Sequence, residues 1–265
     1  MAQDLLLPES ILPHLQSLRL GKTIHHFLET GSTNDAARQL AEQGAPEGTL
    51  VLAEKQTQGR GRLGRSWLSA SSAGIYASIL LRPLLKPPDA AALTLVAAVA
   101  ASEAIEQACG LRTDIKWPND LLLSGRKCCG ILSEMQVERD EIRYVVVGVG
   151  INVNHSFFPE ELGQRATSLC IEGKQTYSRI TVLCEFLRRF ELLYDELHRG
   201  NRSAILRRWI DRSSFAFEKQ VMVDLGSGKR VEGMTAGLSE LGNLKVKLAD
   251  GRMEEVMSGD IVAWR

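Results

Sequence analysis

Gln56-Thr57-Gln58-Gly59-Arg60-Gly61-Arg62-Leu63-Gly64-Arg65-Ser66-Trp67 is the stretch on which the fold class turns. Gly59, Gly61 and Gly64 match G-x-G-x-x-G, the spacing of a dinucleotide-binding fold, which also needs a helix opening there and an acid about 20 residues on. Neither is present: residues 75–81 read as a strand, and no carboxylate stands between Lys55 and Pro88. No complete Walker-type phosphate loop occurs either. Residues 56–73 are therefore read as a long Gly/Arg loop between strands at 49–53 and 75–81.

Outward from this loop, residues 24–28 read as a strand. A helix then opens at Ser32-Thr33-Asn34, with Ser32 as its cap, Asp35 three residues on and Gly44 as its stop. A short helix is expected within residues 10–20. Residues 88–109 are Ala/Leu-rich, follow a Pro-Pro and end at Gly110, which predicts a buried helix. Strands are expected at 112–117, 128–138 and 141–149, the last two joined by a hairpin at Arg139-Asp140. Helices are expected at 178–199 and 201–211. From Lys219 the pattern changes to short strands punctuated by Gly226-Ser227-Gly228, Gly242-Asn243 and Asp250-Gly251, a small barrel-like module. Strands and helices without strict alternation predict an α+β fold: a mixed, mainly antiparallel sheet with helices on one side. The domains are placed at 1–216 and 217–265.

The 265 residues are 44% hydrophobic and 24% charged, ordinary for a soluble globular chain. Lys+Arg and Asp+Glu are both 32, so no global field draws the protein to nucleic acid or an anionic membrane. The uncharged run at 90–101 is shorter than the roughly 20 apolar residues a bilayer needs. Met1-Ala2-Gln3-Asp4 carries no basic region of a secretory signal. Five cysteines, an odd number with no C-x-x-C, indicate reduced thiols and a cytoplasmic setting. No H-E-x-x-H links the five histidines, which disfavours zinc.

Between Lys55 and Pro88 stand Lys55, Arg60, Arg62, Arg65, Arg82 and Lys86 with no acid, a +6 window in a neutral chain. Guanidiniums in a glycine loop offer forks for carboxylate or phosphate, and such a loop is expected to stay mobile until an anion neutralises it. The same features suit a solvated basic loop or an RNA contact. Three further clusters follow. Lys116-Trp117-Pro118-Asn119-Asp120 is compatible with plain turn chemistry. In Gly125-Arg126-Lys127-Cys128-Cys129-Gly130, Lys127 either snorkels or stands as a fixed cation beside a bound acid. In Gly148-Val149-Gly150-Ile151-Asn152, glycines admit a flat ligand and Asn152 offers an amide edge. Cys128 and Cys129 read as small buried side chains.

In this order, the Ser-Thr-Asn helix start, the Arg/Gly loop with its Trp, Lys-Trp-Pro-Asn-Asp, the Lys127 strand and Gly-x-Gly-Ile-Asn resemble the biotin–protein ligase family. The resemblance runs through residues 25–155 and continues in the terminal module. It implies the class II synthetase-like catalytic fold of biotin/lipoate ligases, followed by a small SH3-like barrel. It implies that biotin and ATP form biotinyl-5′-AMP and pyrophosphate, with Mg²⁺ accompanying ATP, and that the biotinyl group passes to a lysine of a biotin carboxyl carrier domain. Carried over by position, Ser32, Thr33, Asn34, Gln56, Gly59, Arg60, Gly61 and Gly130 would bind biotin. Arg62 would bridge the biotin carboxylate and the α-phosphate, and Lys127 would touch both. Arg65, Trp67, Lys116, Asn119 and Asn152 would bind the adenylate, with Trp67 stacking on adenine. Lys116 and Asp120 would act with Arg62 and Lys127 in catalysis. No metal ligands follow from the motifs.

The loop lacks a proline common in the family, at 69–74. The residues before Ile24 are too few for a helix-turn-helix, so DNA binding is not expected; a homodimer is plausible, and no membrane contact is expected. The alternatives are a lipoate or octanoate ligase of the same chemistry and a non-enzymatic RNA-binding module. Against the latter, the segment from Phe217 to Arg265 carries seven cations and eight acids.

Overall fold

The structure is a computed structural model that describes residues 5–226 and 228–264. The reading of Met1-Ala2-Gln3-Asp4, and Ser227 of the Gly226–Gly228 turn, lie outside the described residues. The chain opens with α1 (Pro8–Ile11), a 3-10 turn, β1 (Ile24–Phe27), α2 (Thr33–Glu42) and β2 (Leu50–Ala53). The long loop follows, then β3 (Gly74–Leu81), a turn of helix α3 (Pro87–Ala90) and α4 (Ala92–Cys109). Next come β4 (Asp114–Lys116), β5 (Asp120–Leu123), β6 (Arg126–Glu138) and β7 (Glu141–Asn152). Short helices α5 (Glu160–Gly163) and α6 (Leu169–Gly173) lead to α7 (Arg179–His198) and α8 (Arg202–Ile210). The chain ends with β8 (Phe217–Gly226), β9 (Lys229–Leu238), β10 (Leu244–Lys247), β11 (Met253–Val256) and β12 (Asp260–Trp264).

The first sheet has seven strands in the order β1-β2-β3-β7-β6-β5-β4, parallel only between β1 and β2. Its odd-numbered residues in β3 and β7, among them Ile79, Leu81, Val145 and Val147, bury against α4 and α7. Helix α4 is almost wholly buried because it is apolar all round. Pro87–Cys109 is the one span among the described residues long and apolar enough to cross a membrane, and it is packed as a core helix. Gly110 ends it in the left-handed region that an L side chain avoids. The expectation of helices on one side needs one correction. Val51, Leu80 and Val146 point to the opposite face, where Ala37 and Ala41 of α2 cover them. The remainder of that reverse face carries the site.

Two further differences follow from local physics. Strand β5 was not expected, because Asp120–Leu123 is buried throughout and shows no alternation. Strand β7 runs on to Asn152 rather than stopping at 149, so Gly148 and Gly150 lie inside it. The Arg139-Asp140 hairpin turn forms as expected, both residues having positive φ. The terminal strands form a five-stranded antiparallel sheet, β11-β10-β9-β8-β12.

Arg179, the first residue of α7, is fully buried. Its Nη1 donates to Glu54 Oε2 at 2.8 Å and to the Gly74 carbonyl at 3.0 Å. Glu54 Oε1 also accepts from the Leu6 main-chain N–H at 2.7 Å. Burial alone would raise the Glu54 carboxyl, but these donors hold it below its ordinary range. Removing one partner of a buried pair leaves the other uncompensated. Arg179→Leu is expected to lower unfolding free energy by about 3–5 kcal/mol in denaturant melts; a loss within about 0.5 kcal/mol would show that the pair contributes nothing.

His155 is buried against Phe158 and Tyr76, its Nε2 lying 3.2 Å from the tyrosine hydroxyl. Burial, assisted by the Arg179 charge, pulls its pKa down to about 4 from 6.5. The unfolded chain therefore binds the extra proton first, so stability is full above about 6.5 and falls as pH drops toward 4. His155→Phe should flatten that limb of a stability–pH profile.

Candidate active site

The cavity opens on the reverse face of the first sheet. Its floor is a glycine track: Gly130 of β6 pairs with Gly150 of β7, and Gly148 precedes them along the strand. A side chain at Gly150 would stand 2.6 Å from Trp67 Nε1, and one at Gly130 would stand 2.8 Å from the same indole. The Asn34 carboxamide lies directly on Gly148. These glycines are therefore required by close approach rather than by backbone conformation.

The loop folds back on itself. Gly61 N–H donates to the Arg65 carbonyl at 2.6 Å and Trp67 N–H to the Gly59 carbonyl at 2.8 Å. A side chain on Gly59 would collide with the Trp67 carbonyl at 2.6 Å. The loop has no carboxylate of its own, and carboxylates from distant segments supply its neutralising partners. Arg60 pairs with Asp35 of α2 at 2.7 Å and Glu134 of β6 at 3.2 Å. Arg62 lies 3.4 Å from Asp260 at the start of β12, and Arg65 pairs with the same carboxylate.

Lys127 stands beside the indole of Trp67, its Nζ 5.2 Å from the ring centroid and 2.5 Å from Asp120 Oδ1. That oxygen is buried and off the line of any hydrogen bond, so the contact is an ion pair. Asn119 donates to the Ile131 carbonyl at 2.7 Å and lines the cavity. Cys128 and Cys129 are buried behind this wall, and burial pushes the Cys129 thiol up to about 12, which suits packing and not nucleophilic attack.

At the other end of the track the Ser32, Thr33, Asn34 and Gln56 side chains are neutral, with the mutually paired Arg60, Asp35 and Glu134 beside them. Ser32 occupies the cap position of α2, but its hydroxyl makes no capping bond and it lines the cavity instead. Gln56 Oε1 accepts the Thr33 main-chain N–H at 2.8 Å, and its Nε2 donates to Ser69 at 3.0 Å. Asn34 Nδ2 donates to Glu134 at 2.7 Å and to the Leu132 carbonyl at 3.2 Å.

Thirteen of the residues singled out from sequence thus meet around one cavity: Ser32, Thr33, Asn34, Gln56, Arg60, Gly61, Arg62 and Arg65 with Trp67, Asn119, Asp120, Lys127 and Gly130. Gly59, Lys116 and Asn152 do not line it. Gly59 closes the loop. Lys116 Nζ lies 3.4 Å from Asp120, 3.3 Å from the Ile261 carbonyl and 4.9 Å from the Trp264 ring centroid. Asn152 donates to the Thr167 carbonyl at 3.0 Å, beyond Gly150 on the same face of β7. Asp260 lines the cavity and was missed, as were Glu134 and Ser78 just behind it.

Residues 28–152, which carry nearly all of this cavity, match the Biotin/lipoate A/B protein ligase family. That places the molecule among ligases of this class. Residues 217–264 match the Biotin protein ligase C terminal domain. The bifunctional ligase/repressor BirA of Bacillus subtilis is 39% identical over 251 residues, 91% of this chain and 74% of that protein. The biotin–[acetyl-CoA-carboxylase] ligase of Mycobacterium tuberculosis is 33% identical over 242 residues, 89% of this chain and 87% of that one. The biotin protein ligase of Aquifex aeolicus in complex with biotin and ATP superposes with a TM-score of 0.78 at 32% identity, covering 92% of this chain and 99% of that chain. The chain belongs to the biotin protein ligase family.

Gly150→Val should force the Trp67 indole off the glycine track. The expected result is a red shift in tryptophan emission that is lost when Trp67→Phe is added; an unshifted spectrum would mean that the ring does not depend on this seat.

Proposed function

We propose that the chain adenylates biotin with ATP and then transfers the biotinyl group to a lysine of a biotin carboxyl carrier domain. The observation that carries this reading is the polarity of the cavity. Along β7 the floor passes from Gly148, beside the neutral Thr33–Asn34–Gln56 end, to Gly150, beside Trp67 and Lys127. Two strand residues span about 7 Å. A ligand with a neutral hydrogen-bonding ring at one end and a carboxylate at the other fits that division, and biotin has this form.

In the first step a biotin carboxylate oxygen attacks the α-phosphorus of ATP. A new P–O bond forms, and the bond to pyrophosphate breaks. Both reactants are anions, so cations must hold them together. Arg62, Arg65 and Lys127 are the cations at that end. A substrate anion reaching Arg62 and Arg65 exchanges with the Asp260 carboxylate that now faces them. Trp67 offers its indole as a platform for the adenine, and Asn119 lies beside the phosphates. Lys116 acts through Asp120, and Asn152 extends the floor past Gly150 on the same face of β7. In the second step the neutral amine of the carrier lysine attacks the acyl carbon, AMP leaves with the bonding pair, and the amine proton passes to solvent. Mg²⁺ enters with ATP, whose phosphates supply its oxygen ligands; the Asp120 carboxylate is already ion-paired with Lys127 and Lys116. Among the described residues no cluster of three or more His, Cys, Asp and Glu is placed to hold a resident metal.

The acceptor reading is supported by the Mycobacterium tuberculosis relative, whose name specifies acetyl-CoA carboxylase. We place the domain division at 216/217, where the connection from α8 gives way to β8, and we place the enzyme in the cytoplasm. ATP–pyrophosphate exchange with biotin, lipoate and octanoate in parallel tests the reaction. Exchange is expected with biotin alone and should fall by about 10²–10³ in Lys127→Met, the scale of losing one preorganised charge at the reacting centre. Exchange with lipoate or octanoate instead would overturn the substrate, and an unchanged Lys127→Met would remove that lysine from the site.

A further inference from the structure

Behind the neutral end of the cavity stands one side chain that lies outside the sequence clusters described above. Ser78 lies in the middle of β3, opposite Gly148, and is fully buried. Its hydroxyl is 2.6 Å from Asn34 Oδ1 and 2.8 Å from Thr33 Oγ1.

A hydroxyl has one proton, and the surroundings decide where it goes. Asn34 Nδ2 faces two acceptors, the Leu132 carbonyl and the Glu134 carboxylate, so both of its hydrogens are committed. Oδ1 must therefore face Ser78, and as an acceptor it takes the Ser78 proton. The contact between the two hydroxyls is then made with Thr33 donating. Gln56 Oε1, fixed by the Thr33 main-chain N–H, lies 3.1 Å from Thr33 Oγ1 and accepts from the same direction. In either case the Thr33 proton is held within the wall, and the hydroxyl presents a lone pair to the cavity.

We propose that Ser78 is a positioning residue that sets the donor and acceptor polarity of this end, so that the cavity offers an acceptor to a ring N–H such as those of a cyclic urea. The inference rests on the biotin reading above and adds the group that orients its recognition. Ser78 touches no substrate: Thr33 and Asn34 stand between it and the cavity. Without its hydroxyl, Asn34 Oδ1 is a buried acceptor with no donor, and Thr33 keeps one acceptor in place of two. Both changes weaken the hold on a ring N–H and leave the cationic end untouched.

The test uses the full chain carrying Ser78→Ala. Calorimetry with biotin and with desthiobiotin, which keeps the cyclic urea and lacks the thioether, should show both Kd values rising by the same factor, about tenfold or more. In pyrophosphate exchange the biotin KM should rise alike, with kcat and the ATP KM within about twofold of wild type. Ser78→Thr keeps the hydroxyl and should hold biotin Kd near wild type whatever its melting temperature. An unchanged biotin Kd in Ser78→Ala, a loss confined to biotin and spared for desthiobiotin, or an equal loss in Ser78→Thr would each overturn the proposal. Should Ser78→Ala not fold, the threonine variant alone decides: wild-type affinity upholds the role and a tenfold loss refutes it. Wild-type protein that binds neither ligand would instead overturn the biotin reading itself.

Discussion

One buried guanidinium holds both feet of the loop on which the site depends. Arg179 Nη1 reaches Glu54, the first residue after β2, and the Gly74 carbonyl, where the sheet resumes. The Ser72 N–H returns to the Glu54 carbonyl at 3.1 Å, so the two feet are also joined to each other. A loop this long with little apolar content makes no core of its own, and fixing its ends lowers the entropy lost when it orders. A buried ion pair is weak evidence for net stability against a packed apolar substitute, and its use here is geometric. Gln56, two residues beyond Glu54, is thereby aimed at the Thr33 N–H that starts α2. Tyr76 adds a third tie, donating to the Ala70 carbonyl at 2.9 Å from the strand that leaves the loop.

The second constraint is charge. The cations of the loop face carboxylates that the local sequence lacks, and the terminal sheet provides the one shared by Arg62 and Arg65. β12 then continues past the Lys116 ammonium, which meets the Ile261 carbonyl and the Trp264 ring. Trp117 donates to the Gly242 carbonyl at 3.2 Å in the same module. The terminal sheet therefore packs beside the site and reaches it through Asp260, at the start of β12.

The large elements were legible because burial leaves a pattern. Helix α4 is apolar all round and stopped by Gly110, and Tyr144–Val149 of β7 is a buried run that leads out of the Arg139-Asp140 turn. The motif residues were legible as chemistry, since Arg, Lys, Asn and Trp between glycines have few structural uses in that combination. What stayed hidden depends on partners far along the chain. Asp260 is one acid among eight in the terminal segment, and nothing near it signals Arg65. Ser78 reads as one small polar residue in an apolar strand until Asn34 and Thr33 arrive from α2. The sidedness of α2 was hidden too, because Val51, Leu80 and Val146 sit in strands buried on both faces, where period-two alternation disappears.

The glycines show why site and fold cannot be read separately. Gly148 and Gly150 interrupt an apolar strand, and by propensity they mark its end. The strand continues through them because main-chain pairing with Gly130 and Ser78 supplies the ladder that side chains do not. Their missing side chains open a track on one face only, since Val147, Val149 and Ile151 between and beside them stay buried in the core. Asn34 and Trp67 then settle on that track from two separate segments, one at each glycine. A residue choice that weakens the strand as a strand thus creates the concavity, and the Arg179-anchored loop and α2 hold the side chains that give its two ends opposite character.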